Sequence, residues 1–112
     1  MKLKIDSKYI NIKKCNTYFT RLIGFIGKKN IDYGLFFSKC NSIHTLFMRE
    51  AIDVIGLDEN NKVIFKKECV DPYKFININY KNNKTSILEL PKNTSLNIKI
   101  NDVLCFEDEN IV

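Results

Sequence analysis

From Tyr33 onward every apolar run in this chain is cut short by turn-forming residues before it reaches helical length. That punctuation restricts the fold more than any other feature, because a strand is complete in about 4 to 8 residues whereas a helix needs about 10 to 12. Gly34-Leu35-Phe36-Phe37 is a brief run before the polar loop Ser38 to Ser42, and Ile43 to Met48 and Ile52 to Leu57 follow as strands. Asp58-Glu59-Asn60-Asn61 is a turn signal that joins Ile52 to Leu57 to Lys62 to Cys69 as a hairpin, and Pro72 ends its second arm. Phe75 to Tyr80 alternates, so one face is expected to be buried and the other wet. Ser86 to Leu90 is a further strand closed by Pro91, and Leu96 to Ile100 and Val103 to Phe106 complete the set on either side of Asn101-Asp102.

Ahead of Tyr33, Lys2 to Ile12 reads as two short extended pieces. Asn16 is placed to cap a helix, and Phe19, Leu22, Ile23 and Ile26 recur at helical spacing. One short amphipathic helix is therefore expected from Thr17 to about Phe25, weakened by Gly24 and stopped by Gly27. Many short strands with a single N-terminal helix imply a mostly β fold, a compact β-sandwich or barrel. At 112 residues the chain has room for a single domain, spanning 1–112. No repeat or linker divides it.

Charge narrows the partners. Lys and Arg exceed Asp and Glu by 18 to 13, giving a net charge of +5. Neutralising a phosphate backbone needs clustered cations, whereas here the lysines form scattered pairs, Lys13-Lys14, Lys28-Lys29 and Lys66-Lys67. A nucleic-acid partner is accordingly disfavoured. Lys2, Lys4 and Asp6 stand where a secretory signal needs an apolar stretch, and no run is long enough to span a membrane. Cys15, Cys40, Cys69 and Cys105 make no CxxC pair, so they read as separate reduced thiols and not as a zinc or redox motif. The reading is a cytoplasmic protein with no cofactor and no metal.

Three blocks of residues carry a resemblance. Arg21-Leu22-Ile23-Gly24-Phe25-Ile26-Gly27 comes first, then Cys40 to Arg49, with Ile43-His44-Thr45-Leu46-Phe47-Met48 at its centre, then Ile52-Asp53-Val54-Ile55-Gly56-Leu57-Asp58. Leu88-Glu89-Leu90-Pro91 and Asp102-Val103 follow. This order resembles the DUF192 family of small prokaryotic domains, whose pattern runs approximately R-L-x-G-L-x-G, I-H-T-x-F-M, P-I-D-V-x-F-L-D and L-E-L-P. The resemblance covers roughly Thr17 to Phe106, and it implies a compact, jelly-roll-like fold and no assigned activity. Ala51 stands where the family usually has proline, Asn101 where glycine is common, and Gly56 where a large apolar residue is usual, which suggests a thinner core there.

The candidate site residues are Arg21, His44, Thr45, Met48, Arg49, Asp53 and Glu89. His44 is the only histidine and suits acid–base work or ligation. Asp53 and Glu89 lie in strand-like apolar segments, where a carboxylate needs a partner. Arg21 and Arg49 are the only arginines beside 16 lysines, and a guanidinium fork can hold such a carboxylate. Met48, with Phe36, Phe37 and Phe47, lines an apolar pocket or fills the core. A metal site of His44, Asp53 and Glu89 is disfavoured, since one histidine is a poor zinc set.

The leading expectation is a domain that binds a small ligand or a protein partner in a cleft near the Ile43 to Asp53 block. His44, Arg49, Asp53 and Glu89 are expected to converge at its polar end. A first alternative is a hydrolase-like enzyme using His44 with a carboxylate, and Thr45, Ser42 or Cys40 as nucleophile. A second is a purely structural polar network, with an arginine clamping Asp53 or Glu89 and the function elsewhere on the surface. The sequence names neither the ligand nor the oligomeric state.

Overall fold

The computed structural model describes residues 1–17, 20, 23–78 and 84–108. The strands among them are β1 (Lys2–Ile5), β2 (Lys8–Lys14), β3 (Gly34–Phe37), β4 (Ser42–His44), β5 (Ile52–Leu57), β6 (Val63–Val70), β7 (Phe75–Asn77), β8 (Ser86–Pro91) and β9 (Cys105–Glu107). Seven of them form one sheet in the order β6-β5-β8-β3-β2-β1-β9, and β4 pairs with β7 in a separate ribbon. β2 and β3 run parallel, with Ile12 opposite Gly34, and the segment between them crosses over one face of the sheet. The sheet curls. Val63 N–H donates to the Asp102 carbonyl at 2.8 Å and Leu104 N–H to that of Asn61 at 2.9 Å, so the stretch leading into β9 meets the opposite edge at β6.

Apolar side chains fill both faces, which is why all six residues of β5 are buried. On one face Leu35, Phe37, Val54 and Ile87 pack beneath the crossover residue Phe25 and the ribbon residues Ile76 and Ile78. On the other, Leu3, Ile12, Ile55, Leu88 and Leu90 pack with Ile98 and Leu104. The mostly β expectation holds. The jelly-roll form, two facing sheets of four strands each, is not the layout of the described strands, which divide seven and two.

The expected helix from Thr17 to about Phe25 is not among the described elements. The described elements include no helix, and Tyr18, Phe19, Arg21 and Leu22 lie outside the described residues. What the described residues hold is one helical hydrogen bond, Gly24 N–H to the Thr20 carbonyl at 3.0 Å. Gly24 then adopts a φ of 47°, a left-handed value that ends any right-handed turn. Leu96 to Ile100 is not a strand either. Asp102 captures Lys99 N–H at 2.8 Å and Ile98 N–H bonds the Ser95 carbonyl at 3.0 Å, so local turns use the groups a ladder would need. Asn101, in place of the common glycine, takes the φ of 77° that its turn requires.

At Gly56 the core is not thinner. A Cβ there would stand 2.5 Å from Ile78 Cδ1 and 3.0 Å from Phe65 Cβ, because those side chains already fill the space. Gly56→Ala is therefore expected to destabilise the fold by about 1 to 3 kcal/mol in urea unfolding. Adding Ile78→Val, which removes the Cδ1 in the way, should recover part of the loss. A neutral single variant would show that the packing is looser than described.

Candidate functional site

Glu89 occupies the middle of β8, opposite Leu35 of β3 and Val54 of β5. Its side chain shares a face with Ile87 and is 2% exposed. No hydrogen-bond partner reaches its Oε1. A charge so placed has lost its water and gained nothing, so burial pushes the carboxyl up to about 8. At neutral pH Glu89 is thus mostly a neutral acid, with one O–H donor and an acceptor oxygen beside it.

Glu89 is among the residues that line a pocket of about 110 Å³. The crossover contributes Ile23, Gly24 and Ile26 to its lining, and β3 contributes Phe37. Cys40, Ser42, Ile43 and His44 come from β4 and its approach, and Met48 completes the apolar side. His44 Nδ1 accepts Leu46 N–H at 3.2 Å. That bond assigns the ring proton to Nε2 and makes the free nitrogen a donor rather than a base. Cys40 Sγ donates to the Ser42 carbonyl at 3.1 Å.

β4 ends earlier than expected, at His44, because Thr45 begins a tight turn. Thr45 is fully buried, and its hydroxyl donates to the Asp71 carbonyl at 2.7 Å and accepts Lys74 N–H at 2.8 Å. Its backbone adds Thr45 N–H to the Lys74 carbonyl at 2.8 Å and accepts from Tyr73 N–H at 3.0 Å. The residue is a clamp between two turns, so its hydroxyl is already committed and is no nucleophile. The clamped turns hold Phe47 and Tyr73 at φ values of 61° and 64°. Their rings meet edge to face with centroids 6.1 Å apart, and they are 64% and 62% exposed. Phe75, 76% exposed, lies beside the His44 ring. This aromatic ledge was not anticipated. Its one sequence signal was the alternation of Phe75 with Ile76, which puts phenylalanine on the outer face.

Asp53 belongs to the frame. β5 and β6 shift register between Ile52 and Val54, a bulge that frees the N–H of Cys69. Asp53 Oδ1 accepts that N–H at 2.9 Å, while Oδ2 accepts Ser95 N–H at 3.1 Å and the Ser95 hydroxyl at 2.5 Å. Asp53 pairs with Leu90 and alternates with Val54, so it lies on the sheet face opposite Glu89. The expected convergence of four residues therefore reduces to two, His44 and Glu89. Arg49 is exposed, makes no ion pair among the described residues and does not line the pocket; Arg21 lies outside the described residues. Arg49 clamps neither Asp53 nor Glu89. The sheet also parts Asp53 from the other two members of the weighed metal set. Lys13-Lys14 and Lys66-Lys67 sit on β2 and β6, with three strands between them in the sheet.

Comparison with known proteins agrees with this architecture. The family model described as DUF192, Uncharacterized ACR, COG1430 matches residues 1–106. A UPF0127 protein of Thermococcus sibiricus (strain DSM 12597 / MM 739) is 36% identical over 70 residues, which is 57% of this chain and 45% of that protein. The match thus spans less than half the relative's length. A solved protein of unknown function from Novosphingobium aromaticivorans DSM 12444 superposes with a TM-score of 0.75 at 13% identity, over 94% of this chain and 82% of that one. A "putative transcription regulator" from Sinorhizobium meliloti 1021 gives 0.70 at 13% identity, over 92% and 87%. At such identity the two solved structures show the fold alone.

Two outcomes follow for the carboxylates. Asp53→Ala leaves the two buried Ser95 donors and the part-buried Cys69 N–H without an acceptor and is expected to cost about 3 kcal/mol or more. Glu89 behaves oppositely. The unfolded chain ionises it near 4.5 and the folded chain near 8, so the folded state holds the extra proton between those values. Its contribution is intact below that window, falls as pH rises through it and is flat above. Glu89→Gln, neutral throughout, should match the wild type near pH 5 and exceed it by a few (~3) kcal/mol near pH 8.5. Urea titrations at both pH values check this, and a difference independent of pH would mean that the carboxyl is not held neutral by burial.

Proposed function

This chain belongs to the DUF192 family, and we propose that the pocket beside Glu89 is a binding site for a small organic ligand, on a single cytoplasmic domain spanning residues 1–112. One observation carries the reading: Glu89, whose Oε1 is buried without a hydrogen-bond partner, is among the residues that line the pocket. Buried polar atoms in folded proteins are nearly always satisfied, and one that borders a cavity is satisfied by what enters it. Phe75, largely exposed, lies beside the same His44 and gives a ligand's apolar part a surface to lie on. No helix among the described residues is long and apolar enough to cross a membrane.

A second reading is catalysis. It is favoured by a carboxyl that exchanges its proton near neutral pH in one lining with Cys40 and Ser42. In that case Glu89 acts as the acid, because His44 Nδ1 is engaged by Leu46 N–H. Turnover of a bound compound, abolished by Glu89→Gln, separates this reading from binding alone.

A fragment screen followed by two-dimensional NMR tests the proposal. Hits are expected to shift the amides of Ser42 to Met48 and Glu89, and Glu89→Leu should abolish those shifts while keeping the fold. A larger depression of about 560 Å³ lies between Ile5–Ile10 and Asn93–Asn97, and it has no buried unpartnered polar atom among its lining residues. Hits confined to that depression would refute the proposal.

A further inference from the structure

We infer that the Glu89 pocket takes a small primary amide, held by a paired hydrogen bond between the amide and the Glu89 side chain; this rests on the pocket being a ligand site. Among the described lining residues there is no lysine or arginine. An anionic ligand would meet no cation among those described residues and would enter largely apolar surroundings, at a large desolvation cost. An amine would require Glu89 to ionise and both charges to be stripped of water, and a buried pair formed that way gains little net energy. The +5 charge of the chain also discourages a cation from approaching.

A neutral carboxyl presents a donor and an acceptor side by side. A primary amide presents the same two groups in mirrored order, so the carboxyl O–H donates to the amide carbonyl and the amide N–H donates to the carboxyl C=O. The orphaned Oε1 is thereby satisfied without creating charge. His44 adds a third contact, since its Nε2–H is free to donate to the second lone pair of the amide carbonyl. Size sets the rest. An apolar cavity of about 150 Å³ accommodates benzene, so a pocket of about 110 Å³ suits an amide head with a short branched alkyl group. A neighbouring depression shares Ser42, Ile43 and His44 and reaches Phe75, which leaves room for a longer substituent along β4.

The test uses three probes of nearly equal shape: isobutyramide, isobutyrate and isobutylamine. Each is titrated by NMR into the full chain at pH 6.5, and calorimetry in two buffers of different ionisation enthalpy counts protons exchanged. Isobutyramide is expected to bind tightest, by about tenfold or more, as one well-placed hydrogen-bond pair allows, and without net proton exchange. Glu89→Gln should keep this binding within a few-fold, whereas Glu89→Leu should lose about tenfold or more. Isobutylamine binding tightest with proton release, or isobutyrate binding tightest with proton uptake, would overturn the amide while leaving the pocket a ligand site. No shift at Ser42 to Met48 with any probe, in a wild-type sample that is folded by the same spectra, would overturn both readings.

Discussion

A carboxylate buried between strands must be compensated with hydrogen bonds, and the organisation of this molecule turns on where that happens. Asp53 receives three donors, and in doing so ties the bulge of β6 to β5 and to the turn after β8. These contacts fix the central register, since a slip of one residue would put Asp53 among Leu35 and Ile87 on the opposite face. Glu89, on the next strand and the other face, receives no donor at Oε1. The same chemical group therefore does opposite things within one strand pair. Asp53 holds the frame and Glu89 opens a site in it.

The strands were legible where local chemistry and tertiary demand agree. Gly34–Phe37 and Ile52–Leu57 match the expected bounds because apolar residues meet turn formers at both ends. Leu96 to Ile100 failed because its spacing mimicked a strand while Ile98 alone is buried, with Leu96 and Ile100 59% and 51% exposed. The helix expectation falls in part on residues outside the described ones, and its end shows at Gly24, the glycine expected to weaken it, which takes a positive φ. Of the site, His44 and Glu89 could be picked out as a lone imidazole and a carboxylate in an apolar run. That Asp53 faces away from them could not, because it depends on which residue of β5 lies opposite which residue of β8. Ser95, 42 positions from Asp53, had no local signal at all.

Backbone strain gathers beside the pocket and gives its rim a physical logic. A bulky residue at positive φ is costly, and Phe47 and Tyr73 both adopt it. Such a conformation persists only when its surroundings over-determine it, and Thr45 supplies that through four hydrogen bonds to Asp71, Tyr73 and Lys74. The result is a pair of rings displayed to solvent rather than folded into the core a few ångströms away. Burial would have stabilised each ring by about 2 kcal/mol. The turn geometry forgoes that gain to hold the two rings together as a fixed, exposed apolar pair.

Glu89 carries the same argument into the core. Its cross-strand neighbours are Leu35 and Val54, and its same-face neighbour along β8 is Ile87, so local packing calls for an apolar side chain. A leucine there would cost nothing in desolvation and would remove the dependence on pH. A carboxyl in that position is a conflict between the residue and its surroundings, and in folded proteins such conflicts concentrate where binding or chemistry occurs. The fold tolerates it because Asp53 secures the register from the other face. Stability is thus drawn from one carboxylate, which leaves the other available to a ligand.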